Sequence, residues 1–253
     1  MRSRYPSSST LAYSFGPGPW TPVIKGLIIA NVVMYVVSRL VPTIALNLGL
    51  VPEQVITQLR VWQLFTYMFL HGGVFHILFN MLGLWMFGVE LERMWGSRYF
   101  AKFYAVCGVG AGITQVVASF LPVPLFEQFY YAQTIGASGA IFGVLLAYGL
   151  YFPNRPILMY FIFPVPAKYF VAIMGGISLL SAIEGGGGGV AHVAHLGGLL
   201  AGYLYLKGYL KGGRFHLLAE VKYRYLKWRI NRMRRKFDVY SGGRADDVNR
   251  RVH

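Results

Sequence analysis

Charge is the first thing this sequence lacks. Only 13% of its 253 residues are charged, against 55% hydrophobic and 16% aromatic. A soluble domain carries about 25% charged residues, so roughly half of the usual solvating charge is missing. That excludes intrinsic disorder and argues against an ordinary water-surrounded globule. Cysteine is nearly absent: Cys107 is the one thiol, which rules out an internal disulfide and any cysteine-rich metal site. Acidic residues are scarce too, nine against 24 Lys and Arg, for a net charge of +15. The N-terminal stretch MRSRYPSSSTLAYSFGPGPW has no apolar run with a cleavage site behind it. No removable signal peptide is expected, and the first apolar span reads as a retained anchor.

What is present is apolar sequence in lengths that suit a bilayer. Runs at 23–41, 74–90, 99–120, 134–151, 167–183 and 190–206 each approach the ~20 residues that a membrane helix needs. The expected fold class is therefore an all-α polytopic membrane protein, a bundle of six transmembrane helices. Residues 1–21 read as a flexible cytoplasmic leader, 22–207 as the six-span domain, and 208–253 as a basic cytoplasmic tail. From Lys207 onward the chain carries 14 of the bases and four of the acids. An even span number places both termini on one side, and this tail makes that side cytoplasmic. The connections 91–98 and 152–156 contain Arg, while 121–133 and 184–189 contain no Lys or Arg. About thirty residues between Pro42 and Gly73, including VWQLFTYMFLHGG, are too apolar to float in water. They read as a folded loop lying partly in the outer leaflet.

Polar groups inside a membrane are costly and mark function by default. Span two opens with His71 and then His76 and Asn80; span four opens with Gly136-Ala137-Ser138-Gly139; span six opens with His192 and His195. All three spans run inward from the outer face. Ser138 is expected about four residues into span four and His195 about five into span six, which puts both about 6–8 Å below the outer helix ends. Gly139 and Gly143 in span four and Gly198 and Gly202 in span six have the spacing that lets helix backbones approach closely, and Gly136 is expected to support the same packing. Across such a seam Ser138 Oγ could reach His195. A hydroxyl is a poor nucleophile until a neighbouring base takes its proton, so the pair reads as a dyad. No Asp or Glu lies at that depth, and no third member is expected. His76, Asn80 and the Ser138 N–H are neutral donors suited to an oxyanion.

These residues resemble the rhomboid family of intramembrane serine proteases. The match runs through His71-x4-His76-x3-Asn80, Gly136-x-Ser138-Gly139, and Ala194-His195-x2-Gly198-x3-Gly202. It extends to Trp62 and to Glu92-Arg93-x2-Gly96-Ser97, and covers about 22–207. The resemblance implies Ser138 as nucleophile, His195 as general base, and His76 and Asn80 lining the oxyanion hole. It implies cleavage of single-span membrane proteins near the outer surface, with no metal or organic cofactor. Two departures stand out. Trp62-Gln63 replaces the family's frequent Trp-Arg, which predicts a weaker loop anchor, and Phe142 replaces a frequent Tyr stacked beneath the histidine.

His192 has no glycines at +3 and +7, and reads as a hydrated residue at the helix mouth. His71 reads as structural. The run Gly185 to Gly189 reads as a linker with some gating of access beside span five. In the tail, 215–237 interleaves bases with aromatics and suits an amphipathic helix on anionic lipid headgroups. Nucleic acid is not an expected partner. A bacterial inner (plasma) membrane is the expected location. The alternative function is a catalytically silent rhomboid-like protein that binds or delivers membrane clients. A proton-relay transporter fits least, because it wants intramembrane carboxylates and an internal repeat.

Overall fold

The computed structural model describes residues 16–121, 129–159, 162–184, 189–210 and 227. The chain divides into two units, Met1–Lys207 and Gly208–His253. Apart from Gly208–Leu210 and Lys227, the described residues belong to the first. The expected tail helix lies outside them.

The architecture is helical: α1 (Pro22–Leu40), α2 (Pro42–Leu48), α3 (Pro52–Thr57), α4 (Gln63–Thr66) with a 3-10 turn at Tyr67–Phe69, α5 (Val74–Trp95), α6 (Ser97–Ala118), α7 (Ser138–Tyr151), α8 (Ala167–Glu184) and α9 (Gly189–Leu210). Among the described residues α1, α5 and α6 are long and apolar enough to cross a membrane, while Ser138–Tyr151 and Ala167–Ile183 are shorter apolar helices. Proline sets the first turns of α1, α2 and α3, where its missing N–H costs nothing. Gly96, at φ +80°, ends α5 and turns the chain into α6.

Burial sorts these helices by role. α7 sits at the centre, with Gly139 to Leu145 buried without interruption. α1 buries only Ile24, Ile28 and Asn31. It exposes Ile29, Val32, Val33 and Val36, an apolar face that suits lipid. Between α7 and α8 lies a short hairpin absent from the sequence expectation, Pro156–Met159 paired antiparallel with Phe163–Pro166.

The segment between α1 and α5 is folded, as its apolar content requires. Tyr67 is fully buried, its hydroxyl donating to Gly108 O of α6 at 2.8 Å. Gly108 leaves the space that the Met68 side chain fills. Gln63 corrects the expectation of a weak anchor. It is fully buried; its Oε1 accepts from Val51 N at 3.1 Å, and its Nε2 donates to Gln54 Oε1 at 2.8 Å and Asn47 O at 3.3 Å. An amide, with donor and acceptor together, ties three parts of the loop to one point. A guanidinium, which only donates, could not accept from Val51 N.

Candidate active site

Ser138 is the first residue of α7, not the fifth of a span beginning at 134. The expected depth is corrected accordingly: the serine sits at a helix tip. The reason lies in the four residues before it. Thr134 pairs with Leu50 in both directions (Leu50 N to Thr134 O at 3.0 Å, Thr134 N to Leu50 O at 2.8 Å), and Gly136 N donates to Tyr67 O at 2.9 Å. Gly136 is a turn residue and not the helix-packing support expected of it: it takes φ +125°, which a helix cannot accommodate and a side chain rarely tolerates. The folded loop thus holds the turn that presents the serine. As the first helical residue, Ser138 has a backbone N–H with no intrahelical acceptor, at the positive end of the α7 dipole.

His195 lies in the second turn of α9, and its Nε2 stands 2.7 Å from Ser138 Oγ. The glycine seam explains how two helices come this close. A Cβ on Gly198 would fall 1.8 Å from Gly139 O, and one on Gly202 would fall 3.1 Å from Gly143 Cα. On the far side, Gly143 meets Cys107 and Gly139 meets Ala111, so α6 closes the same seam. Phe142, one turn beyond the serine, stacks on the His195 ring with centroids 4.2 Å apart and planes 6° from parallel. That contact holds the imidazole plane without any hydroxyl.

His76 lies in the first turn of α5. Its Nδ1 accepts the Gly72 N–H at 3.3 Å, which leaves the ring proton on Nε2. This Nε2 faces the serine turn: a Cβ on Gly136 would lie 2.7 Å from it and 3.8 Å from Ser138 Oγ. A neutral donor is therefore aimed at the space beside the Ser138 hydroxyl. Asn80 is buried one turn deeper, and its Nδ2 donates to His76 O at 2.9 Å. One of its two amide hydrogens is taken up by its own helix, and the other is free to donate elsewhere. His71 sets its ring edge-on to His76, with centroids 5.0 Å apart. Burial lowers its pKa to about 4, with His76 acting in the same direction, so it is neutral at pH 7. His192 places its ring edge-on to His195 at 5.5 Å. Among the described residues no cluster of His, Cys, Asp or Glu could hold a metal ion.

The comparisons with known proteins bear on the family of the whole chain. The family model for the Rhomboid domain matches residues 58–212. The chain belongs to the rhomboid family. It is 35% identical to the mitochondrial Rhomboid protein 1 of Saccharomyces cerevisiae over 54% of this chain and 38% of that protein. It is 34% identical to the rhomboid protease GluP of Bacillus subtilis over 61% of this chain and 27% of that protein. It is 33% identical to the putative rhomboid protease YdcA of the same bacterium over 56% of this chain and 64% of that protein. The chain thus spans less than two thirds of the length of each of these relatives. As a rhomboid with apolar helices of membrane-crossing length, it is an integral membrane protein.

One site residue of this rhomboid escaped the sequence. Ser178, in α8 and only 2% exposed, places its Oγ 3.4 Å from His195 Nδ1. Only its polarity within an apolar run could have flagged it. The glycine run expected to act as a linker with some gating falls at 185–188 outside the described residues.

Proposed function

We propose that this rhomboid is an intramembrane serine endopeptidase that cleaves transmembrane-anchored proteins near the outer face of the membrane. The 2.7 Å approach of His195 Nε2 to Ser138 Oγ carries the proposal. Ser138 Oγ attacks the scissile carbonyl as its proton passes to His195 Nε2. The resulting oxyanion takes hydrogen bonds from the Ser138 N–H, from His76 Nε2 and, through its second amide hydrogen, from Asn80. The imidazolium then returns its proton to the leaving amine. Water attacks the acyl-enzyme by the same route in reverse, and Ser138 is regenerated. Neutral donors suit this depth, where an ammonium or guanidinium would be far more costly to hold.

Six spans are the proposed topology, with α7, α8 and α9 as the last three and both termini in the cytoplasm of a bacterial cell. The expected substrates are single-span membrane proteins, and the basic tail rests on anionic headgroups. The test uses the purified chain in liposomes with a fluorescent single-span substrate. Wild type is expected to cleave, while Ser138→Ala and His195→Ala are expected to lose about 10³-fold or more in rate. Equal rates in wild type and both mutants would end the proposal. The second reading, a silent rhomboid-like binder of membrane clients, predicts that a folded wild-type protein neither cleaves nor takes up a fluorophosphonate at Ser138.

A further inference from the structure

The His195 imidazole has two nitrogens, and catalysis needs them in different states. Nε2 must keep a lone pair to accept the Ser138 proton, so Nδ1 must carry the ring hydrogen. In serine proteases of other folds a carboxylate accepts that N–H and fixes the tautomer. Here the group at Nδ1 is a hydroxyl. Ser178 Oγ stands 3.4 Å away, on a different helix from either dyad member. Its placement follows from the packing of α8. The neighbours Ile177 and Leu179 are half exposed while Ser178 is buried, so the serine occupies the inward face. One turn earlier Gly175 leaves room for Leu199 of α9, with only 3.4 Å between that side chain and the position of a Cβ. The register that seats Leu199 on Gly175 also sets Ser178 beside His195.

We propose that Ser178 is the positioning residue of the dyad, resting on the protease reading above: its hydroxyl oxygen accepts the Nδ1–H of His195 and selects the tautomer that leaves Nε2 free. No bond to Ser178 forms or breaks. When Ser138 gives its proton to Nε2, the same contact stabilises the imidazolium by the dipole of a neutral hydroxyl. A carboxylate there would need an uncompensated charge in the membrane, whereas a serine is tolerated. The contact is long for an N–H···O bond, and such catalytic contacts shorten when substrate closes the site. The division of labour is then complete around the ring. Phe142 fixes its plane, Ser138 meets one nitrogen, and Ser178 meets the other.

The test compares Ser178→Ala, Ser178→Val and Ser178→Thr in liposomes by kcat and KM on the fluorescent substrate. Thermal unfolding and the rate of fluorophosphonate labelling at Ser138 are followed alongside. Val and Thr share a shape and differ in the hydroxyl. Ala and Val are expected to lower kcat and the labelling rate by about three- to tenfold, the worth of one neutral hydrogen bond. KM and the unfolding midpoint stay in place, and Thr restores the rate. If the Ala variant folds poorly, the Val and Thr pair, scaled to folded protein, decides alone. Unchanged kcat in Ala and Val overturns the inference, and so does a Thr variant as slow as Val, because the cavity shape would then be the cause. A wild type that labels but cleaves no offered substrate still yields the labelling rates, which decide in the same way. A wild type that neither labels nor cleaves removes the protease reading and this inference together.

Discussion

The two ends of α5 are built from similar means to opposite purposes. At one end Glu92 is 2% exposed, and its carboxylate accepts four hydrogen bonds: from the Thr21 hydroxyl, from Val23 N and Ile24 N at 3.0 Å, and from the Ser97 hydroxyl at 2.6 Å. It caps α1 from another helix, since those two amides are among the first-turn donors that α1 itself cannot satisfy. Beside it Arg93 donates to Pro17 O and Pro19 O, and Trp85 to Gly18 O, fastening the residues that lead into α1. At the other end His76 and Asn80 each make one local hydrogen bond, which leaves a donor hydrogen on His76 Nε2 and another on the Asn80 amide. A buried polar group whose valences are all met is a fastening. One with a valence to spare, facing a nucleophile, is poised to meet a ligand.

The widest separation comes from the extremes of this comparison. Ser138→Ala should abolish cleavage with no shift in unfolding midpoint, as it removes a small side chain and one hydrogen bond, that to His195 Nε2 at 2.7 Å. Glu92→Ala should do the reverse. It orphans the Val23 and Ile24 amides and the two hydroxyls, at a cost on the order of 3 kcal/mol. Denaturation in detergent would read this as an early transition, while kcat per folded molecule stays at the wild-type value. A Glu92→Ala enzyme of full stability but low kcat would erase the distinction between the two ends.

Gln63 extends the fastening logic to the loop beneath the serine turn. Gln63→Ala removes three hydrogen bonds and leaves Val51 N without its acceptor, which should cost about 1–3 kcal/mol. The loop also holds Gly136 through Tyr67 O, so kcat should fall modestly alongside stability. Equal stability of Gln63→Ala and wild type would mean that this amide does not anchor the loop.

His195 was legible because an imidazole is costly in lipid, and Ser138 and the four seam glycines because of their spacing along two spans. Gln63 was not. Comparing one residue with a family pattern shows what is lost, and its partners Asn47 and Gln54 stand far off in sequence. The start of α7 was misplaced because an apolar window is blind to backbone angle, and Gly136 breaks the helix by its φ alone. Ser178 left almost no trace. A hydroxyl can bond to its own helix, so a serine in an apolar run is cheap and signals little. The hairpin at 156–166 was hidden by four-residue strands bounded by proline.

Phe142 tests how far packing alone serves the site. Phe142→Leu keeps an apolar side chain but removes the parallel ring at 4.2 Å, a contact worth about 0.5–1.5 kcal/mol. The expected result is a kcat lower by about two- to tenfold with KM unchanged, since the imidazole plane is held less firmly. Wild-type kcat in Phe142→Leu would show that the ring needs no stacking partner.

His192 should give the smallest effect. It lies one turn before His195 on α9, and its ring meets His195 edge-on at 5.5 Å, too far for a hydrogen bond between ring atoms to be inferred from that contact. Nothing in the proposed reaction passes through it: the Ser138 proton goes to His195 Nε2, and Nδ1 already has Ser178 beside it. His192→Ala should therefore keep kcat within about twofold of wild type, since one edge-on ring contact is worth only ~0.5 kcal/mol at the low end of its range. A loss as deep as that of His195→Ala would move the base to the other histidine and undo the pairing drawn from the glycine seam.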